Sequence, residues 1–500
     1  MTELRDAIGI LGAVVVAWGV GAAVLRFVLR RAAGELDLWQ RFAFSFLLGI
    51  ASLALWMVAL SLAGIACSVA WVGGVPVLAA VAAWAWRRRA EGARRGADSR
   101  AGREQRAAQR EAPQEPSPDA AAATPTLPLR LVNRASGWIL AGGALVCVLG
   151  SLLEPTAEVD AVAAWGFHAK VFFFERTACP LFLTSGAAGS AILHAPPLVP
   201  LAQAWGHLAM GVYDDRIVKL LFVAFYLAML GAVSSALATA WDSVSVRTLL
   251  VPLATTPALI VPFPAGSVAS AYADVPLAAF IAGTGAALVR WQSGREIRWL
   301  VVGALLAAAA PWVKREGLAF ATIAVGVVGL FAWADRGRTP AARLAAFGYF
   351  AGIVVVSLAV QAVYKGHFPG PFSGEALEPA RLVSAEGIER TGLNLRNLAM
   401  EAAQPLRSGI LWTLFAAVAL ARFRRFAKRP VALVLMLLGG QVLAIAVGMA
   451  LSEYSPERIA TLDTRRVLLQ VAPLAALALG LLAAPGHGTR SVVADRERRD

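Results

Sequence analysis

Trp138–Arg176 reads WILAGGALVCVLGSLLEPTAEVDAVAAWGFHAKVFFFER. An apolar run ends at Leu153, three carboxylates follow at Glu154, Glu158 and Asp160, and an amphipathic stretch then begins. A bilayer crossing takes roughly 20 apolar residues in a helix. Carboxylates at the end of such a run are costly unless they meet water, a cation or a substrate. The stretch therefore announces a membrane helix followed by a loop with chemistry in it. In that loop Val162, Trp165 and Phe167, then Val171 to Phe174, alternate with Lys170 and Arg176. This suits a helix lying in the interface plane, its cations reaching toward head groups.

The same texture extends along the chain. Of 500 residues 58% are hydrophobic and 16% charged, against roughly 25% charged in a soluble domain. An all-α, polytopic transmembrane bundle of about thirteen spans is the expectation. The spans lie near 7–28, 42–65, 67–86, 137–153, 198–212, 217–240, 275–291, 298–313, 317–333, 344–363, 409–421, 431–451 and 467–484. The first is read as a retained helix: Arg26, Arg30 and Arg31 follow it, whereas a cleavable signal carries its charge in front. The chain divides into N-terminal helices (1–86), an Arg- and Pro-rich linker (87–136) and a central membrane module (137–363). An outer loop (364–408), C-terminal helices (409–485) and a basic tail (486–500) complete it. The linker, which includes EAPQEPSPDAAAATPTLP at 111–128, has a composition that cannot bury a core and is expected to be disordered.

The net charge of +14 does not point to nucleic acid, because the aromatic-interleaved basic patches of such a groove are missing. The arginines sit instead in short blocks between apolar runs: RRR at 87–89, RWQSGREIR at 290–298, DRGR at 335–338, RFRRFAKR at 422–429 and RERR at 496–499. That is the positive-inside pattern of cytoplasmic loops. It puts 154–197, 364–408 and 452–466 outside, together with the N-terminus. Parity then requires an even number of crossings between the first outer loop and Asp274, yet three apolar segments lie between them. The stretch 248–263 carries Pro252, Pro257 and Pro262 and is expected to dip in and return, since interior prolines break helical hydrogen bonds and covered re-entrant backbone is tolerated.

Several residues stand out against this frame. Glu154, Glu158 and Asp160 are candidates for a general base, a role favoured by partial burial; solvated acids at a loop start are the plainer alternative. Lys170 can pair with a lipid-linked phosphate or simply snorkel. Lys314, Arg315 and Glu316, in PWVKREGLAF (311–320), put positive charge on the outer face against the general rule, which suits phosphate binding. Arg458, Arg465 and Arg466, in ERIATLDTRRVLLQ (457–470), do the same. HAPPLVPL at 194–201 reads as the start of a helix with His194 at the lip of a cavity. His168 and His194 lack the spacing of a zinc pair. The three cysteines make no disulfide framework or C-x-x-C site.

Five stretches then carry a resemblance. LEPTAEVDAVAAWGFHAKVFF (153–173), HAPPLVPLAQAW (194–205), ASAYADVPLAAF (269–280), AAPWVKREGLAF (309–320) and TRRVLLQVAPL (464–474) resemble, in order and spacing, the membrane-embedded glycosyltransferases of the GT-C class. The similarity is to protein mannosyltransferase and aminoarabinose transferase relatives and their uncharacterised bacterial members. It implies a polyprenyl-phosphate sugar donor, a bacterial cytoplasmic membrane, a catalytic face turned outward, and an acidic base in the first outer loop. Carried over, the base is Asp160, with Glu154 and Glu158 behind it, and the second acidic position is Asp274. The phosphate-contacting cations are Lys170, Lys314, Arg315 and Arg466. Trp165, His168, His194, Tyr272 and Glu316 would line the substrate cavity.

The chain departs from the family pattern in its three spans before the catalytic-type loop and in lacking a large soluble C-terminal domain, so the glycan, lipid or protein acceptor stays open. No cofactor is fixed. Asp160 and Asp274 offer the oxygen ligands a divalent metal ion takes, but there is no D-x-D pair. A transporter or lipid flippase, its pathway lined by the same charges, is the competing expectation. Its internal repeats and midplane charges are not evident in the sequence.

Overall fold

The structure, a computed structural model, describes residues 2–83, 85, 89, 127–185, 196–241, 268–368, 383–452 and 464–484. Among these every regular element is a helix. In chain order they are α1 (Thr2–Leu29), α2 (Leu38–Leu62), α3 (Ala70–Ala83), α4 (Leu127–Leu153), α5 (Phe167–Glu175), α6 (Leu198–Met210), α7 (Leu220–Leu237) and α8 (Asp274–Gly294). There follow α9 (Ile297–Val313), α10 (Glu316–Trp333), α11 (Pro340–Lys365), α12 (Ala385–Ala402), α13 (Leu411–Ala421), α14 (Arg429–Ala450) and α15 (Thr464–Ala483). A helix occupies each of the thirteen apolar segments read from the sequence. Among the described residues seven are long and apolar enough to cross a membrane: α1, α2, the helix Ile217–Leu237, α10, α11, α14 and α15. The protein is a helical, multi-pass membrane protein.

Because lipid is as apolar as the side chains, helices in a bilayer associate through close packing and polar fasteners rather than burial from water. Both are visible. Ala17 and Gly21 of α1 face Ser45 and Gly49 of α2, small residues at four-residue spacing. A Cβ on Gly21 would lie 1.7 Å from the Ser45 carbonyl oxygen, and one on Gly49 1.7 Å from that of Ala17. The two backbones touch. Farther in, the Arg290 side chain donates to Ser235 Oγ at 2.7 Å and to Gln40 Oε1 at 3.3 Å, and lies over the Trp299 ring. Trp312 Nε1 donates to Ser357 Oγ at 2.9 Å, which itself donates to the Ala308 carbonyl, so α11 is fastened along α9.

The two ends of the bundle differ in charge. At one end the C-termini of α8 and α10 and the N-terminus of α14 bring Arg295, Arg338 and Arg429 around Asp335 at 3.8, 3.1 and 3.3 Å. The basic blocks at 290–298, 335–338 and 422–429 therefore share one end. At the other end lie the start of α8, the α9–α10 turn, the start of α15 and the chain between α4 and α5. Glu3, at the start of α1, pairs there with Arg216 at 3.3 Å.

The proline-rich segment 248–263, expected to dip in and return, lies outside the described residues; its described flanks are at opposite ends of the bundle. On one side Trp241 Nε1 donates to the Gly480 carbonyl at 2.8 Å, near the end of α15. On the other, Ala269 packs on Gly150 near the end of α4. Helix α6 is short for a crossing. It has 13 residues, roughly 20 Å at about 1.5 Å per residue, against a hydrocarbon core of about 30 Å. Its C-terminal half runs beside the start of α1, with Trp205 Nε1 donating to the Ala13 carbonyl and Gly9 against Met210. It ends at the same face as α5, where Phe173 meets His207 at 5.7 Å between ring centroids.

Candidate functional site

The amphipathic stretch after Asp160 is helical, but its first turn is wide. Ala161–Gly166 form a π-helical turn that passes directly into α5. Such turns are rare and favour functional sites. Asp160 precedes the turn without capping it, so its carboxylate is not committed to the backbone. Trp165, His168, Phe172 and Phe173 are buried, whereas Val162 and Phe174, read from the sequence as part of the apolar face, are exposed together with Lys170. Helix α5 stops at Arg176, whose φ is 57°.

Asp160 meets Arg466, the second arginine of TRRVLLQ, with Nη1 to Oδ2 at 2.9 Å. Arg466 also reaches Asp274, Nε to Oδ2 at 3.5 Å, and lies over the Tyr272 ring at 5.1 Å. One guanidinium thus stands between the two acids that the family resemblance singles out. Asp274 begins α8 and is fully buried. Its Oδ1 accepts from Lys314 Nζ at 2.8 Å and from Gln470 Nε2 at 2.6 Å. Lys314 in turn pairs with Glu316 Oε1 at 2.9 Å. Asp160, Tyr272, Asp274, Lys314, Glu316 and Arg466 form one connected cluster from four separate parts of the chain.

Local sequence explains the placing. Lys314 is an extended residue between α9 and α10. The turn is tight enough that a Cβ on Gly317 would lie 2.0 Å from the Ala310 carbonyl oxygen, so PWVKREG needs its glycine to bring Lys314 inward. Arg315, at the crest, is exposed. Gln470 follows Arg466 by four residues on α15 and so shares its face. Ala271, just before Tyr272, has φ of 60°, a sparsely populated conformation for a residue with a side chain. Such strain gathers at functional sites.

Electrostatics stratify the cluster. Asp160 is the exposed member, its side chain 56% accessible, whereas Asp274 is at 0% and Lys314 at 11%. Burial opposes charge on Asp274, but Lys314, Arg466 and Gln470 outweigh it and hold its carboxyl below the usual range. Burial likewise opposes charge on Lys314, and Asp274 and Glu316 hold its ammonium above the usual lysine range. Burial, then the charge of Asp160, pushes the Tyr272 hydroxyl up to about 12. The floor is a fixed, charged network, and the rim is a carboxylate in reach of water.

The other candidates lie elsewhere. Lys170 stands over the Tyr213 ring at 5.4 Å and is not part of the cluster. His168 Nδ1 bonds the Ala164 carbonyl and the ring is buried. Glu154 is exposed, and its backbone carbonyl accepts from Lys219 Nζ. Glu158 is half-buried and Trp165 buried. His194 lies outside the described residues. Sequence reasoning missed Gln470, a buried amide inside an apolar run, although TRRVLLQ contains it. As for a divalent ion between Asp160 and Asp274, the Arg466 guanidinium already fills that place, so the pair does not fit a metal. Among the described residues no group of three or more His, Cys, Asp or Glu is placed to hold one. Compared with known proteins, the chain matches no family model, no curated protein and no solved structure.

Proposed function

We propose that the protein is an integral-membrane glycosyltransferase that moves a sugar from a polyprenyl-phosphate donor to a hydroxyl acceptor, with inversion. The site face would be the outer face of a bacterial cytoplasmic membrane, since the arginine-rich end suits the cytoplasm. The observation that carries this reading is the Asp160–Arg466 pair seated on the buried Asp274–Lys314–Glu316 network. It offers a base and an anion-binding cation side by side where a lipid head group would lie.

In the reaction the Asp160 carboxylate takes the proton of the acceptor hydroxyl. The acceptor oxygen attacks the anomeric carbon, and the bond from that carbon to the phosphate oxygen breaks. The lipid phosphate leaves with the electron pair, its charge met by Arg466. The phosphodiester anion of the donor competes with Asp160 for the guanidinium, so donor binding would itself release the base, and the second negative charge develops beside Arg466 as the phosphate leaves. Asp274 acts as a positioning residue: buried and paired with two cations, it holds Lys314 and Arg466 rather than accepting a proton.

The test is sugar transfer by the full chain in lipid nanodiscs, using radiolabelled polyprenyl-phosphate sugars prepared from bacterial membranes. Asp160→Asn should lower turnover by about 10²-fold or more, the scale of a lost general base. Its thermal stability should be unchanged, because Asp160 lies at the exposed rim. Turnover of Asp160→Asn equal to wild type would remove Asp160 as the base. Lipid movement across the bilayer without sugar transfer would instead favour the flippase.

A further inference from the structure

Beside the cluster, on the inner side of the wide turn, is a cavity of ≈ 100 Å³ that the mechanism above does not use. The π-helical turn forms one wall through Ala161, Val162 and Gly166, and Ala271 another. These are the chain neighbours of Asp160 and Tyr272, so the cavity abuts the rim of the site. Its polar lining comes from Thr156, Gln203, His207, Tyr213 and Asp215.

Gln203 is the informative residue. It is 3% exposed, lies on α6, and its carboxamide makes no hydrogen bond among the described residues. An amide that lines a cavity without a protein partner is one that native proteins leave to water or a ligand. The rest of the lining is otherwise employed. His207 Nδ1 accepts from the Asp214 backbone N–H at 3.4 Å, and its ring stacks on Tyr213 at 4.5 Å. The Thr156 hydroxyl donates to the Asp215 carbonyl at 3.0 Å, and its N–H to Asp215 Oδ2 at 3.2 Å. An unpaired donor and acceptor on Gln203 thus face a carboxylate across a space that holds several waters, given that one water needs about 10–15 Å³. The charge of Asp215 is met by the nearby Lys219, and Lys170 stands outside the Tyr213 ring, so the lining offers no unbalanced charge.

The geometry points to a subsite for a neutral, hydroxyl-rich ring, a saccharide, with Gln203 giving and accepting hydrogen bonds and Asp215 accepting from hydroxyls. That the ring belongs to a transferase substrate rests on the function proposed above; the binding itself does not. Donor and acceptor sugars share this chemistry.

Saturation-transfer NMR on the full chain in detergent, with free glucose, mannose, galactose and N-acetylglucosamine as probes, tests it. At least one should bind, and Gln203→Leu should weaken that binding about tenfold, the scale of one hydrogen bond. Gln203→Leu should also match or exceed wild type in melting temperature, since it removes a buried unpaired amide, whereas a structural glutamine would lose stability. Val162→Trp, which fills the cavity from its rim, should abolish the signal. Competition by a polyprenyl-phosphoryl monosaccharide that weakens in Arg466→Gln marks a donor sugar; competition indifferent to Arg466 marks an acceptor. Silence from all four sugars, or equal binding by wild type and Gln203→Leu, overturns the subsite. Sugar binding with the expected Gln203 dependence but no transfer activity overturns the transferase and leaves the subsite standing.

Discussion

Breaking the Asp274–Lys314 contact is the sharpest perturbation of the site's foundation. Asp274 is wholly buried and Lys314 nearly so, 2.8 Å apart. Removing one member of a buried pair costs about 3–5 kcal/mol, because the other charge stays behind without its partner. Each residue here has a second partner to fall back on. Lys314→Met leaves Asp274 with Arg466 at 3.5 Å and Gln470 at 2.6 Å. Asp274→Asn leaves Lys314 with Glu316 at 2.9 Å. Both should therefore fall near the low end, about 3 kcal/mol. The double variant loses the pair without stranding either charge and should cost about as much as one single, not about 6, for a coupling of roughly 3 kcal/mol. Unfolding by SDS from mixed micelles, followed through the 15 tryptophans, measures all four corners of the cycle. Additive losses, or a loss under about 1 kcal/mol in either single, would refute the claim that this network is the floor of the site.

The pH dependence follows from the same pair. Asp274 sits below its usual range, so its contribution is present above the unfolded value near pH ~3.9 and disappears as pH falls through the folded one. Lys314 sits above its usual range, so its contribution is present below about pH 10.4 and disappears as pH rises through the folded value. Wild type should show a stability plateau between those limits. Lys314→Met should lose part of the alkaline limb.

Other outcomes are equally concrete. Gly49→Val should destabilise by at least ~2 kcal/mol, since its branches press into the Ala17 carbonyl of α1 and overpacking of this kind is not relieved by rotamers; thermal unfolding reads it. In a background free of Cys67, Cys147 and Cys179, Val159→Cys and Phe423→Cys, both at strongly exposed positions, should react with an impermeant maleimide from opposite sides of sealed vesicles. Labelling of both from one side would break the assignment of the two ends. Tyr272→Phe keeps the ring under Arg466 and should change donor affinity less than threefold, whereas Tyr272→Ala should weaken it by about 1 kcal/mol, a cation–π contact's worth; donor titration separates them.

Much of this site was legible because charge at the end of an apolar run is conspicuous. Asp160, Asp274, Lys314, Glu316 and Arg466 each break such a run, and bilayer geometry gives run ends only two places to be. Their convergence at one of them is helix length and parity at work. What the sequence concealed has equally physical reasons. Gln470 and Gln203 are uncharged and sit inside helices, so they read as minor interruptions of α15 and α6; only packing reveals that one is bonded and the other is not. Lys170 looked like a phosphate ligand, but the α5 face that carries it turns to Tyr213, some forty residues away, a contact no periodicity encodes.

The two acids that the family resemblance set side by side have opposite physical situations, and that difference argues for their roles. A general base must give up solvent partners for a substrate proton and return to them, which requires access to the acceptor and a carboxylate whose bonds can be exchanged. Asp160 meets both conditions: it is more than half exposed, and its partner Arg466 is one that an incoming phosphate would claim. Asp274 meets neither. Two cations and an amide surround it, and its carboxyl, held below the usual range, is a poorer proton acceptor than an ordinary aspartate. Its charge is instead what makes it affordable to bury Lys314 and to steer Arg466 toward the rim. A carboxylate buried between two cations, out of reach of the acceptor, is well suited to fixing the cation that takes part in the chemistry.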